Sequence, residues 1–266
     1  MEIQTLKCDG YSVRYFSFGA EHGQPLVIIP GVAIKSVMES ADLIAAQYGK
    51  MAEKRRIFVI DRRTDFDMTY SVNDMAEDVI SVLDSLSVKN ADLYGVSQGG
   101  LIAQIIAVRR GDLVRKLVLC STAAQLDKTA AGILDQWKHL AETGDKDSLM
   151  LSFAENVYTP AYVEKYRSAF LEFGKSVTAD ELHRFSIMTG SMDTENICEK
   201  LSGLRCPVLV ICGENDRIFG TDQAKQLAKL THGELHIFKE QAHGVYDEDP
   251  DVMRLIEEFL EKSEEA

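Results

Sequence analysis

The chain has 266 residues, enough for one large α/β domain or for a core with a modest insertion. Hydrophobic residues make up 45% and charged residues 27%, as in an ordinary soluble globular protein, and no apolar run approaches the roughly 18 residues of a membrane span. The net charge of −13, with no basic cluster, excludes a nucleic-acid-binding face and argues against a membrane surface.

From Asp247 to Ala266 there are nine acidic and two basic residues, which reads as a solvated helix face. The opening residues Met1 to Thr5 lack the basic-then-apolar pattern of a secretory signal, so the expected location is cytoplasmic. Five cysteines, Cys8, Cys120, Cys198, Cys206 and Cys212, form no C-x-x-C pair. The odd count fits a reducing compartment, with neither a disulfide framework nor a zinc site.

Residues 2–8 and 11–17 read as a hairpin turning at Asp9-Gly10. Leu26 to Ile29 is a buried strand ending at Pro30-Gly31, and a helix is predicted over about 37–53. Ile57 to Ile60 is the next strand. Ser71 and Asp74 resemble a capping box that opens a helix with Met75, Val79, Val82, Leu83 and Leu86 on one face. Then come a strand at 91–95, a helix at 98–110 and a strand at 114–120. A strand at 208–212, a helix near 221–230, a strand at 234–239 and a last helix near 249–262 end the chain. Short apolar strands alternating with helices predict an α/β fold, a mostly parallel twisted sheet of about eight strands covered by helices on both faces.

Residues 124–198 break the alternation. They read as helix after helix, with Thr159-Pro160 as one start and Thr178 to Glu181 as a capping box. A helical insertion between two parallel strands lies over their C-terminal ends, where ligands bind. The expected organisation is a core of 1–123 and 199–266 with an inserted lid of 124–198.

The strongest local signal is Gly95-Val96-Ser97-Gln98-Gly99-Gly100, between a predicted strand and a predicted helix. This is the G-x-S-x-G nucleophile elbow in its required context. The turn forces the serine into strained backbone angles, and side chains at 95 and 99 would collide with the neighbouring strand and helix. It lifts the hydroxyl above the sheet and aims the first amides of the helix at any developing negative charge.

With this elbow, Pro30-Gly31-Val32, Asp61-Arg62-Arg63, Gly213-Glu214-Asn215-Asp216 and Gln241-Ala242-His243-Gly244, the chain resembles the α/β-hydrolase family over nearly its whole length. The position of the helical insertion matches that family's lid. The resemblance implies a catalytic triad in the order Ser97, Asp216, His243. His243 is the one histidine of six in a loop just after a predicted strand and before a new helix; it would serve as the base. Asp216 would orient it, with Glu214 and Asp222 as rivals, since turns favour carboxylates in any case. The oxyanion hole would combine the backbone amides of Val32 and Gln98. Here the chain departs from the family, since Pro30 stands where histidine is usual and the loop after Asp61 is short and lacks the usual glycines.

Asp61 and Arg63 match family positions and are expected to form a structural ion pair, and Lys35 is expected to be solvated. Apolar residues of the lid, among them Trp137, Met150, Phe153, Tyr158, Phe170, Phe173, Met188 and Met192, supply candidates for a pocket wall. Trp137, Phe153 and Met188, together with Ile218 after the acid, are the pocket residues expected here.

The implied activity is that of a cofactor-free, metal-independent serine hydrolase, carboxylesterase-like, acting on a small or medium carboxylic ester, lactone or thioester. Serine at 97 argues against halide displacement, for which the family uses a carboxylate nucleophile. Two other classes fit the same residues. One is a lyase, synthase or C–C bond hydrolase using the triad for proton transfer, and the other a non-catalytic small-molecule receptor. The expected partner is a small-molecule substrate, with no nucleic acid or membrane, and the chain is expected to be a monomer or homodimer.

Overall fold

A computed structural model describes residues 1–65, 69–192 and 197–263. Strands β1 (Gln4–Lys7) and β2 (Ser12–Gly19) form the expected antiparallel hairpin, in which Gly10 takes the left-handed angle φ 82° that its turn requires. They are followed by β3 (Gln24–Ile29), helices α1 (Ala41–Gln47) and α2 (Gly49–Ala52), β4 (Arg55–Ile60), α3 (Val72–Ser85), β5 (Ala91–Val96), α4 (Gln98–Arg109) and β6 (Val114–Cys120). Helices α5 (Lys128–Thr143), α6 (Lys146–Val157), α7 (Pro160–Ser176), α8 (Ala179–Gly190) and α9 (Cys198–Leu201) lie between β6 and β7 (Val208–Gly213). The chain closes with α10 (Gly220–Thr231), β8 (Glu234–Phe238), α11 (Val245–Glu248) and α12 (Asp251–Glu261).

The eight strands form one sheet in the order β1-β2-β4-β3-β5-β6-β7-β8. The pairs β1–β2 and β2–β4 are antiparallel and the remaining pairs parallel. The parallel strands read as unbroken apolar runs because both faces are covered. On one face Val27, Ile29, Leu93 and Leu117 pack with Met75, Val79 and Leu83 of α3 and with Ile102 and Ile105 of α4. On the other, Leu26, Ile28, Tyr94 and Val118 pack with Met51 of α2 and with Ile256 and Phe259 of α12. Strand β5 lies between β3 and β6, so its C-terminal end, where Ser97 follows, is flanked by the ends of both neighbours.

The helix expected over 37–53 is broken. A short 3-10 turn at Val37–Ser40 precedes α1, and the chain turns again at Tyr48, whose φ of −95° and ψ of 10° end α1. The buried Tyr48 ring packs against Tyr94 of β5 with centroids 6.4 Å apart, so a tertiary contact overrides the local helical pattern. At the C-terminus α12 begins at Asp251 rather than 249, behind Pro250. The buried Lys116 of β6 donates its Nζ to the carbonyls of Phe259, Leu260 and Lys262 at 2.9, 3.2 and 2.6 Å, satisfying and neutralising the C-terminal end of α12.

Side-chain caps delimit the helices between β6 and β7. Asp127 accepts from the Ala130 amide, Asp145 from Ser148 and Thr159 from Tyr162, while Thr178 and Glu181 complete a capping box. Among the described residues no helix is long and apolar enough to cross a membrane.

The packing separates two glycine substitutions that look alike in sequence. A Cβ on Gly99 would fall 1.9 Å from the Ile29 carbonyl oxygen and 2.6 Å from that of Pro30, whereas one on Gly132 of α5 meets nothing within 4 Å. Gly99→Ala is expected to destabilise the fold by about 3 kcal/mol or more, and Gly132→Ala to stabilise it by about 0.5–1 kcal/mol. Denaturant unfolding of the two variants checks both signs.

Candidate active site

Ser97 follows β5 at φ 52° and ψ −119°, angles that a residue with a side chain adopts only under restraint. The restraint comes from both neighbouring strands. Its amide donates to the Cys120 carbonyl at the end of β6 at 2.9 Å, and its carbonyl accepts from Thr122 Oγ1 at 2.9 Å. The glycines of the elbow are needed because backbone approaches too closely for a side chain. A Cβ at Gly95 would lie 2.5 Å from the Gly99 carbonyl oxygen. On the β3 side the turn after Pro30 passes so near that a Cβ on Gly31 would lie 3.3 Å from Ser97 Cβ and 3.9 Å from its Oγ.

Asp216 follows β7 and His243 follows β8, and both side chains are buried. Nδ1 of His243 and Oδ2 of Asp216 stand 3.0 Å apart. Oδ1 of Asp216 accepts from the amides of Ile218 at 2.8 Å and Phe219 at 3.1 Å, so both carboxylate oxygens are engaged. Burial alone would raise the pKa of this carboxyl. The facing His243 ring, its hydrogen bond and the two amides outweigh that effect and hold it below the ordinary carboxylate value. With Nδ1 committed to Asp216, Nε2 is the nitrogen left to accept a proton. The rival acids are elsewhere. Glu214 accepts from the Glu240 amide, and Asp222 is exposed and pairs with Lys225.

The end of β6 also holds the backbone of His243. Ser121, itself at φ 49°, donates its Oγ to the His243 carbonyl at 2.6 Å. Two consecutive hydroxyl residues, Ser121 and Thr122, thus tie down the backbones of His243 and Ser97 respectively. Sequence reasoning missed this pair. The available signal was a Ser-Thr dipeptide at the C-terminal end of a central strand.

The two amides expected to form an oxyanion hole are open. Gln98 is the first residue of α4 and has no helical acceptor for its N–H, and the amide of Val32 donates to no acceptor among the described residues. Both lie beside Ser97, Gln98 as its chain neighbour and Val32 one residue beyond Gly31. Pro30, where the family usually has histidine, contributes its carbonyl, which accepts from Arg62 Nη2 at 2.7 Å.

Two other expectations need correction. Arg63 pairs not with Asp61 but with the buried Asp78, through Nε at 2.7 Å and through Nη2, while its guanidinium lies 3.7 Å from the Tyr11 ring centre. Asp61 instead accepts from Ser36 Oγ and from the Arg62 amide, and lies 3.5 Å from Nη2 of Arg184 on α8. Lys35 is not free in solvent but sits between Glu39 and Glu181 at 3.4 and 3.6 Å. Of the expected pocket residues, Trp137 and Phe153 pack on each other with centroids 4.8 Å apart. Met188 is buried on α8, where its carbonyl accepts from Gln98 Nε2 at 3.1 Å. Ile218 lines, with Asp127, Thr129, Asp216 and Phe219, a surface recess of about 410 Å³ that includes neither Ser97 nor His243. Among the described residues no group of three or more His, Cys, Asp and Glu could hold a metal.

An eight-stranded, mostly parallel sheet with helices on both faces and a strained serine after its fifth strand defines an α/β-hydrolase fold. The model of the family described as serine aminopeptidase, S33, matches residues 67–250, and the chain belongs to this hydrolase family. It is 27% identical over 206 residues to a 2-hydroxymuconate semialdehyde hydrolase from Pseudomonas putida, covering 74% of this chain and 72% of the relative. The structure superposes with a TM-score of 0.89 on MGS-M2, an α/β-hydrolase enzyme from a Medee basin deep-sea metagenome library, at 19% identity and 99% coverage of each chain. It superposes at 0.83 on the enol-lactonase from Burkholderia xenovorans LB400, at 20% identity, covering 97% of this chain and 100% of the other.

Two outcomes follow for Asp216 and for the Ser121 hydroxyl. Asp216 has a folded-state pKa below its ordinary value of about 3.9. The stability it confers is therefore complete above that value and is lost as the pH falls through the folded-state value. Asp216→Asn removes that contribution, so the Tm gap between wild type and variant should narrow as the pH is lowered from about 5 to about 2.5. A thermal-unfolding series at stepped pH reads it, and a gap that widens would contradict the assignment. Ser121→Ala, which frees the His243 carbonyl, is expected to lower kcat about tenfold, with the Asp216 contact retained. Steady-state kinetics on an activated ester checks it.

Proposed function

We propose that the chain cleaves a small or medium carboxylic ester or lactone through an acyl-enzyme on Ser97. The single observation that carries this reading is the buried His243 Nδ1–Asp216 Oδ2 contact of 3.0 Å, in a loop tied through Ser121 to the same strand end that holds the strained Ser97. His243 Nε2 takes the Ser97 proton as Oγ attacks the carbonyl carbon. The amides of Val32 and Gln98 receive the oxyanion of the tetrahedral intermediate, and the imidazolium then protonates the leaving alkoxide. Water, deprotonated by the same nitrogen, attacks the acyl-enzyme and releases the acid. A lactone follows the same course, with the alcohol retained on the product. Each step uses only groups of the chain and water.

In this reading the helices between β6 and β7 act as a lid that selects the acyl group, and the substrate is a small molecule handled in the cytoplasm. The lid role is supported by two links to the site: the Gly244 amide, beside His243, donates to the Val157 carbonyl at 2.6 Å, and Gln98 Nε2 donates to the Met188 carbonyl. A second reading is hydrolysis of a C–C bond beside a ketone, favoured by the semialdehyde hydrolase among the relatives. The same base and oxyanion hole would serve it.

A fluorophosphonate probe is expected to label the wild type and not Ser97→Ala; equal labelling of both would refute Ser97 as the nucleophile. A panel of p-nitrophenyl esters of rising chain length, a lactone, a β-diketone and an aminoacyl p-nitroanilide separates the substrate classes. Turnover of the diketone alone would replace the ester reading by the C–C reading. Phe153→Ala is expected to shift the preferred ester length, because a pocket wall discriminates by about 1–3 kcal/mol per methylene. An unchanged ranking with lowered Tm would confine Phe153 to packing among the helices.

A further inference from the structure

Arg62 is only 4% exposed. A buried guanidinium is costly unless its donors are used, and the desolvation of Arg62 lowers its pKa from the ordinary value. Its donors are used in an informative way. Nε donates to the side-chain oxygen of Gln98 at 3.1 Å, and Nη2 donates to the Pro30 carbonyl at 2.7 Å. These acceptors belong to the two segments that carry the proposed oxyanion donors, Gln98 itself and the Pro30-Gly31-Val32 turn. The guanidinium is planar and rigid, so two bonds from one fork set the spacing between the segments. The turn already lies against Ser97, as the 3.3 Å approach at Gly31 shows, so a small displacement would move an amide off the oxyanion.

The same fork is held from the helical side. The Gln98 amide nitrogen Nε2 donates to the Met188 carbonyl at 3.1 Å and lies 3.1 Å from Met192 Sδ. Arg184 of α8 donates from Nη2 to the Arg62 carbonyl at 3.3 Å and lies near Asp61, which in turn accepts from the Arg62 amide at 2.8 Å. Helix α8 thus docks on Gln98 and on Arg62 itself.

We propose that Arg62 is a positioning residue for the oxyanion hole, its guanidinium spacing the Val32 and Gln98 amides, with that spacing set in part by the docking of α8 on Gln98 and Arg62. The proposal rests on the hydrolase reading of Ser97. Pro30 offers no N–H of its own, and its carbonyl is the handle by which the turn is held.

The experiment uses the full chain and its Arg62→Met, Arg62→Lys and Gln98→Glu variants. It measures kcat and KM on a p-nitrophenyl ester, the rate of fluorophosphonate labelling, and Tm. Arg62→Met is expected to lower kcat per labelled site and the labelling rate by about 100-fold, with KM within about threefold. Arg62→Lys keeps the charge but has no donor at the Nε position, and should lose about tenfold in kcat. Gln98→Glu still accepts from Arg62 but no longer donates to Met188, and adds a negative charge beside the oxyanion, so it should lose about tenfold in kcat. Wild-type kcat in Arg62→Met, with only Tm reduced, overturns the proposal. Wild-type kcat in Arg62→Lys overturns it too, even if the methionine variant fails to fold, because charge alone would then suffice. Wild-type kcat in Gln98→Glu overturns the α8 arm. A wild type that neither labels nor turns over ester refutes the hydrolase reading and this proposal together, whereas loss of the proposal alone leaves labelling and turnover of the wild type intact.

Discussion

Ser97 stands at φ 52° and ψ −119°, a conformation that costs roughly 1–3 kcal/mol, and much of the surrounding structure serves to hold it. Gly95 and Gly99 lack side chains because the Gly99 and Ile29 carbonyls occupy the space. The end of β6 gives the Cys120 carbonyl to the Ser97 amide, and Thr122 just beyond it gives its hydroxyl to the Ser97 carbonyl. Relaxing the serine would break both bonds and disturb the close contact with β3. The strain is stored in a rigid parallel sheet buried on both faces, which can bear it as a hairpin edge could not.

The same strand end registers His243 against Ser97. Ser121 and Thr122 are adjacent, and each fixes the backbone of one candidate catalytic residue. The relative placement of Ser97 and His243 therefore depends on one dipeptide more than on the flexible reach of either side chain. Asp216 holds the ring through its Nδ1. Its two oxygens are shared between His243 and the amides of Ile218 and Phe219, which keep the carboxylate ionised and fixed.

The helices between β6 and β7 meet this centre at two places. Near the α6–α7 junction, Val157 accepts from the Gly244 amide, Tyr158 reaches Asp247 at 3.0 Å, and Thr159 bonds to Glu248. At the other end α8 bonds to Gln98 and Arg62. One contact bears on the loop of His243 and the other on Gln98 and Arg62. A displacement of these helices would be felt by both.

The sequence by itself determined the alternation of the core, the elbow, the capping boxes at Ser71 and Thr178, and the candidate residues Asp216 and His243. These were legible because each is a local rule: a period, a cap, a small residue where backbone must approach, or a polar residue at a strand end. Tertiary structure alone decided the partners. Arg63 lies two residues from Asp61 in sequence yet pairs with Asp78, because the chain turns after β4 and lays Arg63 against α3. Tyr48 ends a helix that its local pattern would continue, because its ring is needed against Tyr94. Ser121 reaches His243 across 122 positions and Arg62 reaches Gln98 across 36, separations at which no periodicity or spacing carries information. Such contacts exist only once strands far apart in the chain have been set side by side in the sheet.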